Sequence, residues 1–110
     1  MVTQVNKRRR GRAKRELTVE IKTGTETKQV YTIDLSLGGM KVGGAVLQLQ
    51  VGEPVEVIVK SGKDKISFPG QVEREDGLCL LNRIGRNVST FFIRIIDERF
   101  AEFVSNNYHV

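Results

Sequence analysis

Apolar and polar residues alternate along most of this chain. Leu17, Val19 and Ile21 are separated by Thr18, Glu20 and Lys22, the period of two that marks a strand with one buried face. "TGTE" at 23–26 reads as a turn. Tyr31, Ile33 and Leu35 then alternate with Val30, Thr32 and Asp34, which predicts a second strand over roughly 27–34. A glycine-rich loop leads into a short third strand near Met40 and Val42, and Val55, Val57 and Val59 mark a fourth. "SGKD" at 61–64 has the composition of a hairpin turn. Ile66 and Phe68 start a fifth strand that runs to about Glu73, and Pro69–Gly70 within it suggest a bulge or an edge position. "EDG" at 75–77 reads as another hairpin turn, and "LCLLNRI" at 78–84 as a sixth strand, apolar enough to be largely buried.

The period changes near Ser89. Phe92, Ile95, Ile96, Phe100, Phe103 and Val104 share one face at helical spacing, with Arg94, Asp97, Glu98 and Glu102 largely opposite. This predicts a helix over about 89–106. Asn87 or Ser89 is the expected N-cap, and Arg94 is spaced to pair with Glu98. Six short strands with glycine-rich turns and one terminal helix predict a mainly β fold, a six-stranded antiparallel β-barrel. The helix is expected to lay its apolar face on that barrel.

The length of 110 residues fits one domain. Apolar content of 39% with 28% charged residues fits a globular chain. The longest apolar runs are a few residues, so no helix long enough to span a bilayer is expected. The basic start has no apolar stretch after it and does not read as a secretory signal. Cys79, alone, forms no internal disulfide and fits a reducing, cytoplasmic setting.

Charge changes the picture more. Residues 1–15 hold seven of the 18 Lys and Arg residues and none of the 13 acids, so the rest carries 11 against 13, a net of −2. The chain thus divides into a flexible basic N-terminal arm, 1–15, and a barrel with its helix, 16–110. The arm calls for an anionic partner.

The residues of ordinary catalysis are not assembled. His109 is the single histidine and sits beside the C-terminus. Cys79 lies in an apolar run and reads as a small buried residue. No Cys/His spacing suggests a metal, and no Walker-type glycine loop is present. The sequence predicts a binding protein, not an enzyme.

Two short motifs supply candidate binding chemistry. Arg8 and Arg12 are spaced R-x-x-x-R within "RRRGR". The planar guanidinium pairs bidentately with phosphate or with the O6/N7 edge of guanine. Asp34, Ser36 and Gly39 are spaced D-x-S-x-x-G at the end of the second strand. Residues i and i+2 of a strand share a face, so Asp34 and Ser36 can project together. A carboxylate accepts from guanine N–H groups and a hydroxyl bonds a base edge or phosphate oxygen. Gly38 and Gly39 permit close backbone approach.

R-x-x-x-R just before the first strand, D-x-S-x-x-G ending the second, then the remaining strands and a terminal helix: this order closely resembles the PilZ domain family, bacterial receptors for cyclic di-GMP. The strand–turn–strand "ISFPGQVEREDGLCLL" resembles the family's back half, with a more local likeness to the PilZ module of bacterial cellulose synthase. The resemblance implies that Arg8 and Arg12 grip guanine edges and phosphates of cyclic di-GMP. It implies that Asp34 and Ser36 bond a guanine from the barrel side, with Gly39, beside Gly38, leaving room. Lys7, just before the first motif arginine, would influence whether one ligand or an intercalated pair binds. Arg9 and Arg10 would be supplementary, and Arg74, at the end of the fifth strand, a further contact. The implied mechanism is ligand-driven ordering of the arm over the barrel, read by an unidentified effector protein controlling motility, exopolysaccharide synthesis or adhesion. Two other readings stand beside it: a basic-armed nucleic-acid-binding barrel, disfavoured because Tyr31 and Phe68 are its only obvious stacking candidates, and a PilZ-like adaptor that binds no ligand. Monomer and homodimer are both compatible with the sequence.

Overall fold

The computed structural model describes residues 13–44 and 48–108. Seven strands precede one helix: β1 (Ala13–Lys14), β2 (Thr18–Lys22), β3 (Thr27–Ser36), β4 (Gly39–Gly44), β5 (Pro54–Ser61), β6 (Asp64–Leu81), β7 (Arg86–Arg94) and α1 (Glu98–Asn107). All pairings are antiparallel. β3 pairs with β2, β2 with β5, β5 with β6, β6 with β7, β7 with β4, and β4 returns to β3. The six strands therefore close into a barrel without a free edge. β1 is a two-residue addition beside the end of β3.

The predicted alternation fills the interior in β2, β4 and β5: Val19 and Ile21, Val42, and Val55, Val57 and Val59 are buried in one core. In β3 the faces are exchanged at first: Val30 and Thr32 are buried while Tyr31 and Ile33 are half-buried, and only the register shift after Thr32 brings Leu35 inward. The turn expected at 61–64 is present: Ser61 pairs with Asp64 across Gly62–Lys63, and Gly62 takes a positive φ of 64°, which a tight hairpin needs.

Two predicted elements differ from the structure. β6 does not turn at 75–77 but runs on to Leu81. "EDG" is instead a register shift between Glu75 and Leu78, with Gly77 at φ 77°. The same glycine chemistry that makes a turn here makes a bulge. The true turn lies at 82–85, where the Gly85 N–H donates to the Leu81 carbonyl at 2.8 Å and Gly85 has φ 67°. Of "LCLLNRI", only Leu81 is fully buried; Cys79 is half-buried, and Leu78 and Leu80 are exposed.

The helix begins at Glu98, not near 89. Residues 86–94 form β7, the sixth strand of the ring. Phe91, Ile93 and Ile95 point inward and are buried, whereas Phe92, Arg94 and Ile96 alternate outward. Eight residues of "STFFIRII" satisfy both periods, because apolar side chains occupy both faces. The N-cap is accordingly Asp97, whose carboxylate accepts from the Arg99 N–H at 2.9 Å. Hydrogen bonds from the Arg99 side chain and then its backbone hold the Asp97 carboxyl below its ordinary range. Arg94 lies in β7 and contacts Glu73, not Glu98. Phe100 and Val104 of α1 are buried in the barrel's core, as expected for the helix. Phe100 meets the inward-facing Phe68 edge-on, centroids 5.1 Å apart. Phe68 is therefore a core residue and not a surface stacking platform.

Candidate functional site

The D-x-S-x-x-G motif is the β3–β4 hairpin. Thr32 pairs with Val42, both facing inward, but the register then shifts so that Asp34 pairs with Lys41 and Leu35 with Met40. Cross-strand partners share a face. The shift thus turns Leu35 inward with Met40 and places Asp34 on the outer wall beside Lys41. Ser36 follows on the same wall, opposite Gly39, closing the turn at Leu37–Gly38. The two residues predicted to project together do so.

Continuing the register around the barrel extends this face. Lys41 pairs with Phe92 and Phe92 with Arg74, giving an outer row Asp34, Lys41, Phe92, Arg74 across β3, β4, β7 and β6. The adjacent row is Ser36, Gly39, Arg94, Gln71. Arg74 thus lies on the motif's face, although its position is mid-strand. Its guanidinium sits over the Phe92 ring, 4.7 Å from the centroid, and contacts Glu73 at 2.6 Å. Lys41, Phe92 and Arg94 were not expected from the sequence. Lys41, two residues past Gly39, carried the strand signal that would have found it; Phe92 and Arg94 did not, because their stretch read as helix.

The cations of this wall are matched by acids. Lys41 reaches Asp76 at 3.6 Å, Arg74 reaches Glu73 and also Asp76 at 3.7 Å, and Arg94 reaches Glu73 at 3.8 Å. With Asp34 counted, three cations face three carboxylates. The wall by itself holds no excess charge for an anion.

Two motif residues have local structural duties. The Ser36 hydroxyl donates to the Gly39 carbonyl at 3.2 Å. Gly39 lies against β7 so closely that a Cβ there would sit 2.1 Å from the Ile93 carbonyl oxygen. Asp34 is 8% exposed although on the outer wall. Gly38, by contrast, is exposed, with no atom near where its Cβ would be.

Lys7, Arg8, Arg9 and Arg12 lie outside the described residues. Their point of entry does not. Ala13, next after Arg12, pairs with Leu35, and Lys14 pairs with Asp34. The segment that follows is stitched to the barrel. Thr32, fully buried, accepts from the Leu17 N–H at 2.9 Å and donates its hydroxyl to the Arg15 carbonyl. The Arg15 guanidinium sits over the Tyr108 ring at 5.6 Å. The Glu16 carboxylate accepts from the backbone N–H groups of Asn82 and Arg83, both at 3.1 Å. Among the described residues, no group of three or more His, Cys, Asp or Glu side chains is gathered as a metal site, and no helix is long and apolar enough to cross a membrane.

These features define a small closed-barrel module with a polar, charge-balanced outer wall and a basic leading segment entering beside it. The model of the PilZ domain family matches residues 6–85, and the chain belongs to that family. Solved structures share the fold. The PilZ domain of YcgR from Escherichia coli, determined with c-di-GMP, is 17% identical with a TM-score of 0.62, covering 88% of this chain and 86% of that one. The PilZ domain of CeSA from a cellulose-synthesizing bacterium is 23% identical with a TM-score of 0.58, covering 86% and 92%. The inhibitor of motility MotI/DgrA of Bacillus subtilis is 20% identical with a TM-score of 0.60; the match covers 87% of this chain but only 47% of that protein. Among curated protein sequences no match was found.

Proposed function

We propose that this protein is a receptor for cyclic di-GMP that performs no chemistry on its ligand and signals through a protein partner. The observation that supports this reading is the register of β1: Ala13, the residue after Arg12, pairs with Leu35 and Lys14 with Asp34, so the chain leaves the R-x-x-x-R motif and joins the barrel beside D-x-S-x-x-G. Charge supports the same reading. The outer wall is balanced, so the net positive charge for a bis-phosphate ligand must come from the arm, which holds seven cations and no acid.

In this reading Arg8 and Arg12 bond guanine edges and phosphates, Asp34 and Ser36 hydrogen-bond a guanine from the wall, and Gly38 gives the ligand access to the hairpin backbone. Gly39 seats the hairpin against β7 beneath it. Arg74, held over the Phe92 ring, offers its guanidinium to a base. Lys7 and Arg9 add charge, and Lys7 influences whether one ligand or an intercalated pair binds. The ligand draws the arm onto the wall, and the ordered surface is read by an effector in the cytoplasm.

Isothermal titration with cyclic di-GMP tests this. Losing one charged hydrogen bond of about 1.5–3 kcal/mol weakens binding by roughly 10–150-fold. Arg8→Ala, Arg12→Ala and Asp34→Ala should each fall in that range, and the wild-type stoichiometry reports on Lys7. Unchanged affinity in all three would refute the site. Binding that falls steeply with salt yet ignores Asp34→Ala would point instead to a nonspecific polyanion-binding arm.

A further inference from the structure

The β3–β4 turn and the start of α1 enclose an open groove of about 460 Å³. Leu37, Ile95, Ile96 and Ala101 form its apolar wall. Leu37 is 46% exposed and Ile96 78%, so the barrel leaves both uncovered. The Ile95 N–H donates to the Gly38 carbonyl at 2.9 Å and fixes the turn against the segment entering α1. Charge is uneven around this groove. Arg94 is matched by Glu73 at 3.8 Å and Arg99 by Asp97 at 2.8 Å. Glu98 lines the groove, and Glu102 follows one turn along the same side of α1. Both are exposed, and neither is in an ion pair among the described residues. The groove therefore combines an apolar wall with a negative edge.

The register of β1 shows what can reach it. β1 is antiparallel to β3, with Ala13 opposite Leu35 and Lys14 opposite Asp34. The N-terminal end of β1 therefore points along β3 towards the Leu37–Gly38 turn and the groove beyond it. The chain preceding Ala13 carries Val2 and Val5, then Lys7 and four arginines, and no acid. Its charge is opposite to that of the groove's edge. The two residues from Leu35 to Leu37 cover about 7 Å, whereas the eight from Ala13 back to Val5 can span up to about 26 Å. The arm thus reaches the groove with slack to pass over the D-x-S-x-x-G wall. Tethered beside the groove, it has an effective concentration there on the order of millimolar, so a contact of two valines suffices. A second copy placed groove to groove would set Glu98 and Glu102 against their own equivalents, which disfavours it.

We propose that Val2 and Val5 seat in the Leu37–Ile96 groove, with Lys7 beside Glu98, so that the arm forms a strap anchored at both ends across the motif wall. The seat stands on the groove and the β1 register. The strap's effect on cyclic di-GMP binding rests on the receptor reading.

Methyl NMR of the ligand-free full chain, with Gln4→Cys in a Cys79→Ser background carrying a nitroxide at position 4, tests the seat. The Leu37 and Ile96 methyl signals should broaden. Those of Leu80 should not: it is also exposed, but it pairs with Asn87, roughly 23 Å along β7 from Arg94. V2S/V5S and E98K/E102K should each restore the Leu37 and Ile96 signals. Broadening spread equally to Leu80, or unchanged in V2S/V5S, would overturn the seat. So would broadening that passes from labelled to unlabelled chains in a mixture, which names a second copy as occupant. For the strap, V2S/V5S and L37S/I96S should each weaken cyclic di-GMP binding by about tenfold, and combining them should weaken it no further. Leu37 and Ile96 are exposed, and matching thermal melts would show that the fold survives. Wild-type affinity in both variants, with the seat observed, would overturn the strap. If the wild type binds no cyclic di-GMP, the receptor reading fails, while the broadening still decides the seat.

Discussion

Changing Gly39 or Gly38 to alanine separates what the hairpin needs from what a ligand needs. A Cβ at 39 would lie 2.1 Å from the Ile93 carbonyl oxygen and 3.0 Å from the tip of the Phe92 ring, whereas one at 38 meets nothing within 4 Å. Real Cβ contacts essentially never fall under 3.0 Å, so β4 and β7 must part by most of an ångström where Gly39 pairs with Arg94. The obstacle is backbone and no rotamer change removes it. Overpacking of this kind costs about 1–3 kcal/mol, and loosening a ladder hydrogen bond adds about 0.5–1.5 kcal/mol. Gly39→Ala should therefore lose about 2–4 kcal/mol, lowering the melting temperature by on the order of 10 °C or more. Gly38→Ala should melt within about 2 °C of wild type, a surface effect.

The assay is thermal and urea unfolding by circular dichroism, followed by titration with cyclic di-GMP at a temperature where both variants are folded. A Gly39→Ala protein as stable as wild type would refute the steric argument. If such a protein also failed to bind, Gly39 would be a ligand-clearance residue, as the family resemblance first implied. Weakened binding in a stable Gly38→Ala would place the ligand directly over the turn.

Other perturbations probe the framework. Thr32→Val keeps the shape but strands the Leu17 N–H and the Arg15 carbonyl, costing about 1–3 kcal/mol in urea unfolding, and should weaken cyclic di-GMP binding by loosening the root of the arm. Phe100→Ala empties a fully buried site against Phe68 and should cost about 3–5 kcal/mol in the same assay. Asp97, its carboxyl held low by Arg99, stabilises the fold above its unfolded value of 3.8 and loses that contribution as pH falls through its depressed folded value. Wild-type stability should therefore drop more steeply below about pH 4 than that of Asp97→Asn, and parallel curves would refute the cap's role.

The barrel was legible where only one face of a strand is apolar. In β2 the inward Val19 and Ile21 stand among Thr18, Glu20 and Lys22, and in β5 the inward Val55, Val57 and Val59 are set off by Glu56 and Lys60, with Ile58 the one apolar residue facing out. The period of two failed where both faces carry apolar groups. Phe92 lies under Arg74, and Ile96 is exposed although apolar, so "STFFIRII" fits a helix as well as a strand. The break at 75–77 was misplaced for a related reason. Glycine at positive φ serves a turn or a bulge equally, and only the partner strand decides which. Here β7 continues past the shift, so β6 must too. The leucines at 78 and 80 read as core by their apolar character, yet they lie on the face of the β6–β7 hairpin that no layer covers.

The same argument divides the motif. In D-x-S-x-x-G, Ser36 and Gly39 sit opposite one another: one closes the hairpin with its hydroxyl, and the other lets β4 touch β7. Both are required by a tight β3–β4 turn in a closed barrel, whatever binds outside. Asp34 is different. It follows a register shift at Ile33, and without that shift it would face the interior, where a carboxylate is costly to bury. The shift turns it outward beside Lys41 and beside the strand that continues from Arg12. Hairpin geometry does not require an acid at that position, so in the receptor reading Asp34 is the position of the motif assigned to the ligand, and the Asp34→Ala titration tests it. The sequence spacing alone treats all three positions alike; the pairing register distinguishes them.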